Sequence, residues 1–282
     1  MSGLAVFKPF WRNKLARTGM IIVLLLVLVA IFAPVIAPYS PYNSSFPPML
    51  GPSAQHWLGT TQAGQDVFSQ LVYGARQSLW VGFAAGTAAT ILGLIIGLIA
   101  GYAPGIVDDV LSYLINVFLV IPGLPLMIIL AAYAPVHGSL LIIFVITVTG
   151  WAWGARVLRS QVTTLRSRDY VAAARFAGDG MLRIVFREIM PNMISLVAAG
   201  FLGAAVSAIL AAAGLEFLGL GDPSINSWGT MLYWAENSGA LLQGQWAWLF
   251  APGFLIAVLG TSLVLINFAV DEMANPRLRK KA

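Results

Sequence analysis

Only 10% of the 282 residues are charged, 59% are hydrophobic, and the net charge is +5. A soluble domain carries roughly 25% charged residues, so the composition excludes an ordinary soluble enzyme and fits an all-α polytopic membrane protein. There is no cysteine, which removes disulfides and thiolate metal sites. The two histidines, His56 and His137, are far apart and read as loop residues without a metal centre.

A helix crossing the hydrocarbon needs about 20 apolar residues. In chain order the sequence predicts a basic segment 1–18, then a first span at Gly19–Ala37. This apolar run exceeds the usual ~7–15 residues of a signal peptide's core, so it is expected to remain as an anchor. A polar loop follows over 38–78. The core 79–270 then carries spans at Leu79–Tyr102, Val110–Tyr133, Ser139–Val157, Met193–Leu215 and Trp246–Val270. Pro122, Pro125 and Pro252 are tolerable inside spans covered by neighbouring helices. Two polar stretches interrupt this core, at 158–192 and 216–245, and a basic tail, 271–282, closes the chain.

Six spans place both termini on one side. Lys8, Arg12, Lys14 and Arg17 precede the first span, and Arg277, Arg279, Lys280 and Lys281 follow the last. Arg156, Arg159, Arg166, Arg168, Arg175, Arg183 and Arg187 cluster at the fourth connection, leaving Arg76 alone on the opposite face. The positive-inside rule makes the termini and the 158–192 segment cytoplasmic. The cations therefore report orientation and contact with the lipid bilayer, and no nucleic-acid partner is expected.

The cytoplasmic stretch YVAAARFAGDGMLRIVFREIMPN, 170–192, reads as two short helices joined by a glycine elbow. Asp169 is expected to cap the first, Tyr170–Ala177. Gly178 supplies the positive-φ stop, Asp179 starts the second, and Pro191 ends or redirects the chain before the fifth span. Such an element either anchors at the membrane surface or docks into a groove on a partner. Small residues Ala172, Ala173 and Ala174 would permit close approach, with the flanking arginines setting orientation.

The remaining features are spare. Gly82, Gly86, Gly93, Gly97 and Gly101 give the second span small-xxx-small steps suited to close packing, and the fifth is similarly rich in Ala and Gly. Asn116 and Asn267 are the interior polar residues and Glu216 falls near a span end, all three read as helix-packing or pathway positions. Trp57, Trp228 and Trp234 fit an interfacial belt. There is no GxxxxGK[ST] phosphate loop, no nucleophile–base set, and no inverted repeat or mid-membrane carboxylate of the kind that marks ion-coupled transporters.

The spacing Ala172-Ala173-Ala174, three residues, Gly178, and then Ile189-Met190-Pro191 resembles the cytoplasmic signature of ABC-importer permeases. It departs from that signature at Ala172, where Glu is usual, at Glu188 and at Met190. The segments HWLGTTQAGQDVFSQLVYGARQSLWVG (56–82), LEFLGLGDPSINSWGTML (215–232) and NPRLR (275–279) are similar to the shorter permease subunit of the dipeptide/oligopeptide/nickel branch. The resemblance implies a type I importer fold with six transmembrane helices and a cytoplasmic coupling-helix loop. It implies ATPase coupling through Tyr170, Ala172, Ala173, Ala174, Arg175, Gly178, Asp179 and Pro191. It also implies a heterodimer with a second permease, two ABC ATPase subunits that bind the ATP and Mg, and an extracytoplasmic substrate-binding protein. No cofactor is expected in this chain, which sits in the inner membrane. Its cargo would be short peptides, with oligosaccharides as the alternative.

Overall fold

In the computed structural model, residues 13–274 are described, with the side chains of 271–274 left aside. The N-terminal cations Lys8 and Arg12, the four cations of the tail and the NPRLR similarity lie outside these residues. Eleven α-helices make up the described chain, and no strand forms beyond a single Thr60–Asp66 bridge. They are α1 Lys14–Ile31, α2 Ala33–Ile36, α3 Val67–Tyr102, α4 Ile106–Val120, α5 Gly123–Ala132 and α6 Ser139–Arg166. Then come α7 Asp169–Phe176, α8 Met181–Ile184, α9 Ile194–Phe217, α10 Trp228–Asn237 and α11 Trp246–Ala274.

Among the described residues five helical segments are long and apolar enough to cross a membrane, or six if the bent pair α4–α5 is one span. That pair differs from the single third span expected over Val110–Tyr133: it turns by 87° between α4 and α5. Pro122 supplies no N–H and biases Ile121 away from the helical region, so Ile121 is extended at ψ 127° and the helix restarts after Pro122.

The second span begins at Val67 rather than Leu79. Its first turns, VFSQLVYGARQS, are too polar for a hydropathy reading. Yet Val67, Leu71, Ala75 and Leu79 recur every four residues and are buried. With 36 residues, α3 is about 54 Å long at 1.5 Å per residue, well beyond the ~30 Å hydrocarbon. Its N-terminal third must therefore stand clear of the apolar layer.

The helix α3 is the axis of the fold. One core joins it to α1, α9, α10 and α11 through Leu26, Leu79, Ile209, Trp228, Trp248 and Leu259. A second joins it to α6 and α9 through Val81, Ala85, Ile142, Val145 and Ala212. Its glycines permit this. A Cβ at Gly86 would lie 2.7 Å from Ala205 Cα on α9, and one at Gly101 would lie 2.8 Å from the Arg159 carbonyl oxygen on α6.

The segment before α3 folds into a cap over this end of the bundle. Asp66 is the N-cap of α3: its Oδ2 accepts from the Ser69 N–H and hydroxyl, both at 2.7 Å. Its Oδ1 lies 2.8 Å from His56 Nδ1. His56 is 4% exposed and packed against the Tyr39 and Phe46 rings. It thus lies in a loop, as expected, but as a buried structural group, because its acceptor is ten residues away and invisible to local pattern. Arg76, the lone cation at this end, donates to the Ala30 and Ile31 carbonyls at 2.6 and 3.1 Å, satisfying the open end of α1. Trp228 is likewise fully buried, donating its indole N–H to the Leu71 carbonyl at 3.0 Å, and does not belong to a surface belt.

Replacing Asp66 by Ala removes the cap and orphans a buried imidazole, at a cost of about 2–4 kcal/mol. Asp66→Asn keeps an acceptor for the α3 amides and is expected to lose less than half of that. Thermal unfolding of the purified chain in detergent compares the two.

Candidate functional site

At the far end of α3 the chain builds a second, smaller assembly. Helix α6 does not stop at Val157 but runs to Arg166, carrying the connection outward. There Leu98 of α3 and Leu158 and Val162 of α6 form one cluster with Val171, Ile184, Val185, Ile189 and Met193. Helices α7 and α8 therefore rest on a packed base and are not a free loop.

The elbow has the chemistry expected of Gly178. Its φ is +86°, and a Schellman closure surrounds it: Asp179 N–H donates to the Ala174 carbonyl and Gly178 N–H to that of Arg175, at 3.1 and 3.0 Å. Two details differ from expectation. Arg168, not Asp169, is the N-cap of α7, and Asp169 occupies the first turn, where its charge favours the helix dipole. Gly180, not Asp179, caps α8, and Asp179 instead pairs with Arg183 at 3.0 Å on the surface, a contact worth little in water.

Pro191 does not end the helix. Met181–Phe217 runs as one 37-residue helical span. The missing proline N–H is accommodated by a π-turn at Val185–Ile189 followed by a 3-10 turn at Met190–Met193. The Asn192 side-chain amide donates to the Glu188 carbonyl at 2.7 Å in this distorted region.

The eight residues singled out for coupling gather at this end, but they do not all face outward. Ala173 is exposed, whereas Ala172 and Ala174 are half-buried and Ala174 packs on the cluster below. The Arg175 guanidinium turns back, 5.2 Å from the centre of the Tyr102 ring. Arg166 also donates to the Tyr102 carbonyl, at 3.2 Å. Beside the exposed Arg175, Arg183 and Arg187, the elbow presents large apolar side chains to solvent: Phe176 is 92% exposed and Leu182 72%, with Met181, Phe186 and Tyr170 also exposed. Sequence reasoning missed Phe176, Leu182 and Phe186. The available signal was their phase, since Val171 and Ile184 point inward and these residues fall on the opposite side.

Asn116, Asn267 and Glu216 are not brought together. The Asn116 amide oxygen accepts from Arg156 at 2.6 Å, beside the Arg159–Asp108 pair (2.5 and 2.8 Å), so both contacts tie α4 to α6. Asn267 lies on α11 with its amide oxygen buried and unpaired. Glu216, 6% exposed, accepts from the Ser227 hydroxyl at 2.6 Å and so locks α9 to the capping box that starts α10. A cleft of about 460 Å³ opens instead between α3, α5, α6 and α9, lined by Thr90, Trp151, Trp153, Gly154, Gly203 and Ser207 among others.

A bundle of membrane-crossing helices with such a docked elbow at one end is the architecture of a type I importer permease. Its fold is shared with a chain of the MetNI methionine ABC transporter solved in inward-facing conformations. The TM-score is 0.57 at 20% identity, covering 73% of this chain and 94% of that one. The chain belongs to the binding-protein-dependent transport system inner membrane component family, whose model matches residues 93–280. The N-terminal TM domain of oligopeptide transport permease C matches residues 5–53. The oligopeptide transport system permease protein OppC of Bacillus subtilis is 35% identical over 96% of this chain and 88% of its own length. The dipeptide transport system permease protein DppC of Alkalihalophilus pseudofirmus is 37% identical over 97% and 89%. The chain is thus a multi-pass membrane permease.

Proposed function

We propose that this permease forms half of the translocation pathway of an ATP-driven importer of short peptides. A second permease completes the pathway, two ATPase subunits bind the ATP and Mg, and an extracytoplasmic binding protein delivers the cargo. Both termini and the α7–α8 elbow face the cytoplasm, in keeping with the cation distribution. The peptide relatives support the cargo class.

The exposed apolar elbow carries the coupling reading. Phe176 and Leu182 stand in solvent around Gly178 while the residues beneath them are packed. A rigid element with a bare apolar tip is suited to a groove on a partner. The ATPase dimer would move the elbow, and the packed base would pass that motion to α3 and α6, whose other faces line the cleft. Tyr170, Ala173 and Gly178 would meet the partner, while Arg175, Ala172, Ala174, Asp179 and Pro191 would fix the elbow's shape.

Deletion of Gly178–Arg183 tests this in the whole importer. ATP-driven peptide uptake is expected to vanish, with uncoupled ATP hydrolysis or loss of the ATPase subunits on purification. Uptake at the normal rate after the deletion would sink the reading.

A further inference from the structure

A second cavity, of about 540 Å³, lies at the opposite end of the molecule from the elbow. Its walls come from the cap before α3, the start of α3 itself, the loop before α10, and α10 and α11. Gln65 and Gln70 border it at the start of α3, whereas Tyr102 under the elbow ends the same helix, about 54 Å away. It is therefore distinct from the coupling site. Its size falls within the roughly 300–1,000 Å³ of small-ligand pockets.

The lining is mostly apolar in area, with polar side chains set into it, and carries no Asp, Glu, Lys, Arg or His. Tyr42 and Trp234 contribute aromatic surface, and Gln62, Gln65 and Asn226 contribute side-chain amides. These amides are held in place. The Asn226 Nδ2 donates to the Gln70 carbonyl at 2.8 Å, and Gln70 Nε2 donates to Gln65 Oε1 at 2.7 Å. That network uses one end of each amide and leaves Gln65 an N–H donor and Asn226 an oxygen acceptor. The Trp248 side chain also borders the cavity and is 2% exposed.

We infer that this cavity is a binding site for the main chain of a short peptide, held through side-chain amides without any salt bridge. The inference rests on the peptide-importer reading and adds a landing site to it. A main-chain amide presents one acceptor and one donor in a plane, the complement of what a Gln or Asn side chain presents. A lining without charge is indifferent to the charges of the peptide's own side chains and termini. Cargo of varied sequence can then be held by the one feature that all peptides share.

The test uses the assembled importer in nanodiscs without its binding protein, and radiolabelled trialanine as the probe. Saturable binding is expected, weakened roughly three- to tenfold by Gln65→Leu. N-acetyl-trialanine-amide, which lacks both terminal charges, is expected to bind as well as trialanine. Gln62 is exposed, so Gln62→Leu weakens binding with no burden on folding and guards against a misfolded Gln65 variant. Absence of saturable binding, or binding that both variants leave unchanged, overturns the inference. So does a strong preference for free trialanine over the capped form, and so does displacement of trialanine by maltotriose. Trialanine uptake by the complete importer is measured alongside. If uptake is normal in any of those overturning cases, the landing site fails alone. If the importer takes up no peptide, the peptide reading itself fails.

Discussion

Phe176→Glu should abolish productive coupling while leaving the permease folded. The ring is 92% exposed, so the isolated chain loses nothing by its removal, and its thermal unfolding in detergent should match the parent. In the importer the same ring would be buried in the ATPase groove. Burying a Phe side chain is worth roughly 1.5–3 kcal/mol, which corresponds to about 10- to 150-fold in affinity for the ATPase subunits. A carboxylate at that position adds a desolvation cost on top. The expected result is at least a tenfold drop in ATP-driven uptake, with less ATPase retained on the purified permease. Leu182→Glu should behave similarly. Phe176→Leu should retain most activity, because it keeps an apolar tip. Full uptake by Phe176→Glu would show that the elbow docks by some other face, such as that of Ala173.

Much of this end of the molecule was legible in the sequence. The Schellman elbow followed from a glycine after an alanine-rich helix, and the spans followed from hydropathy. Beyond the local break at Pro122 and the one-residue shifts of the elbow caps, what escaped had a non-local cause. The buried His56 depends on Asp66, and the buried Trp228 depends on the Leu71 carbonyl, more than 150 positions away in the chain. The early start of α3 is set by the cap and by α10 packing on its polar-looking first turns. Pro191 read as a break because a local rule cannot see that a π-turn upstream absorbs the missing hydrogen bond. Of the three polar candidates, Asn116 pairs with a cation on another helix and Glu216 with a serine in the following loop. Hydropathy marks them as unusual but cannot say whether they meet a neighbour or the cargo. The cleft and the cap cavity are products of several elements at once, and no single segment encodes either.

The glycines separate into two kinds that the sequence does not distinguish, and this gives a large expected effect on stability. Gly86 sits where α3 and α9 touch. A Cβ there would lie 2.7 and 2.9 Å from the Ala205 Cα and backbone nitrogen, atoms that cannot swing aside as the end of a side chain could. Overpacking typically costs about 1–3 kcal/mol, and a clash with backbone belongs at the upper end. Gly86→Val should therefore force the two helices apart and sharply reduce the yield of folded permease. Gly154 and Gly200 also lie in membrane-spanning helices, but a Cβ at either meets nothing within 4 Å. Both line the cleft between α6 and α9. Their alanine variants should fold as well as the parent, or slightly better by up to about 1 kcal/mol from helix propensity. Any loss they cause should appear only in uptake, where the added methyl narrows the cleft. Thermal unfolding and uptake measured on the same three variants test the division: Gly86→Val fails both, and the cleft variants fail at most the second. A folded, normally stable Gly86→Val permease would mean that α3 and α9 do not pack at the closeness described, and that the axis of the bundle lies elsewhere.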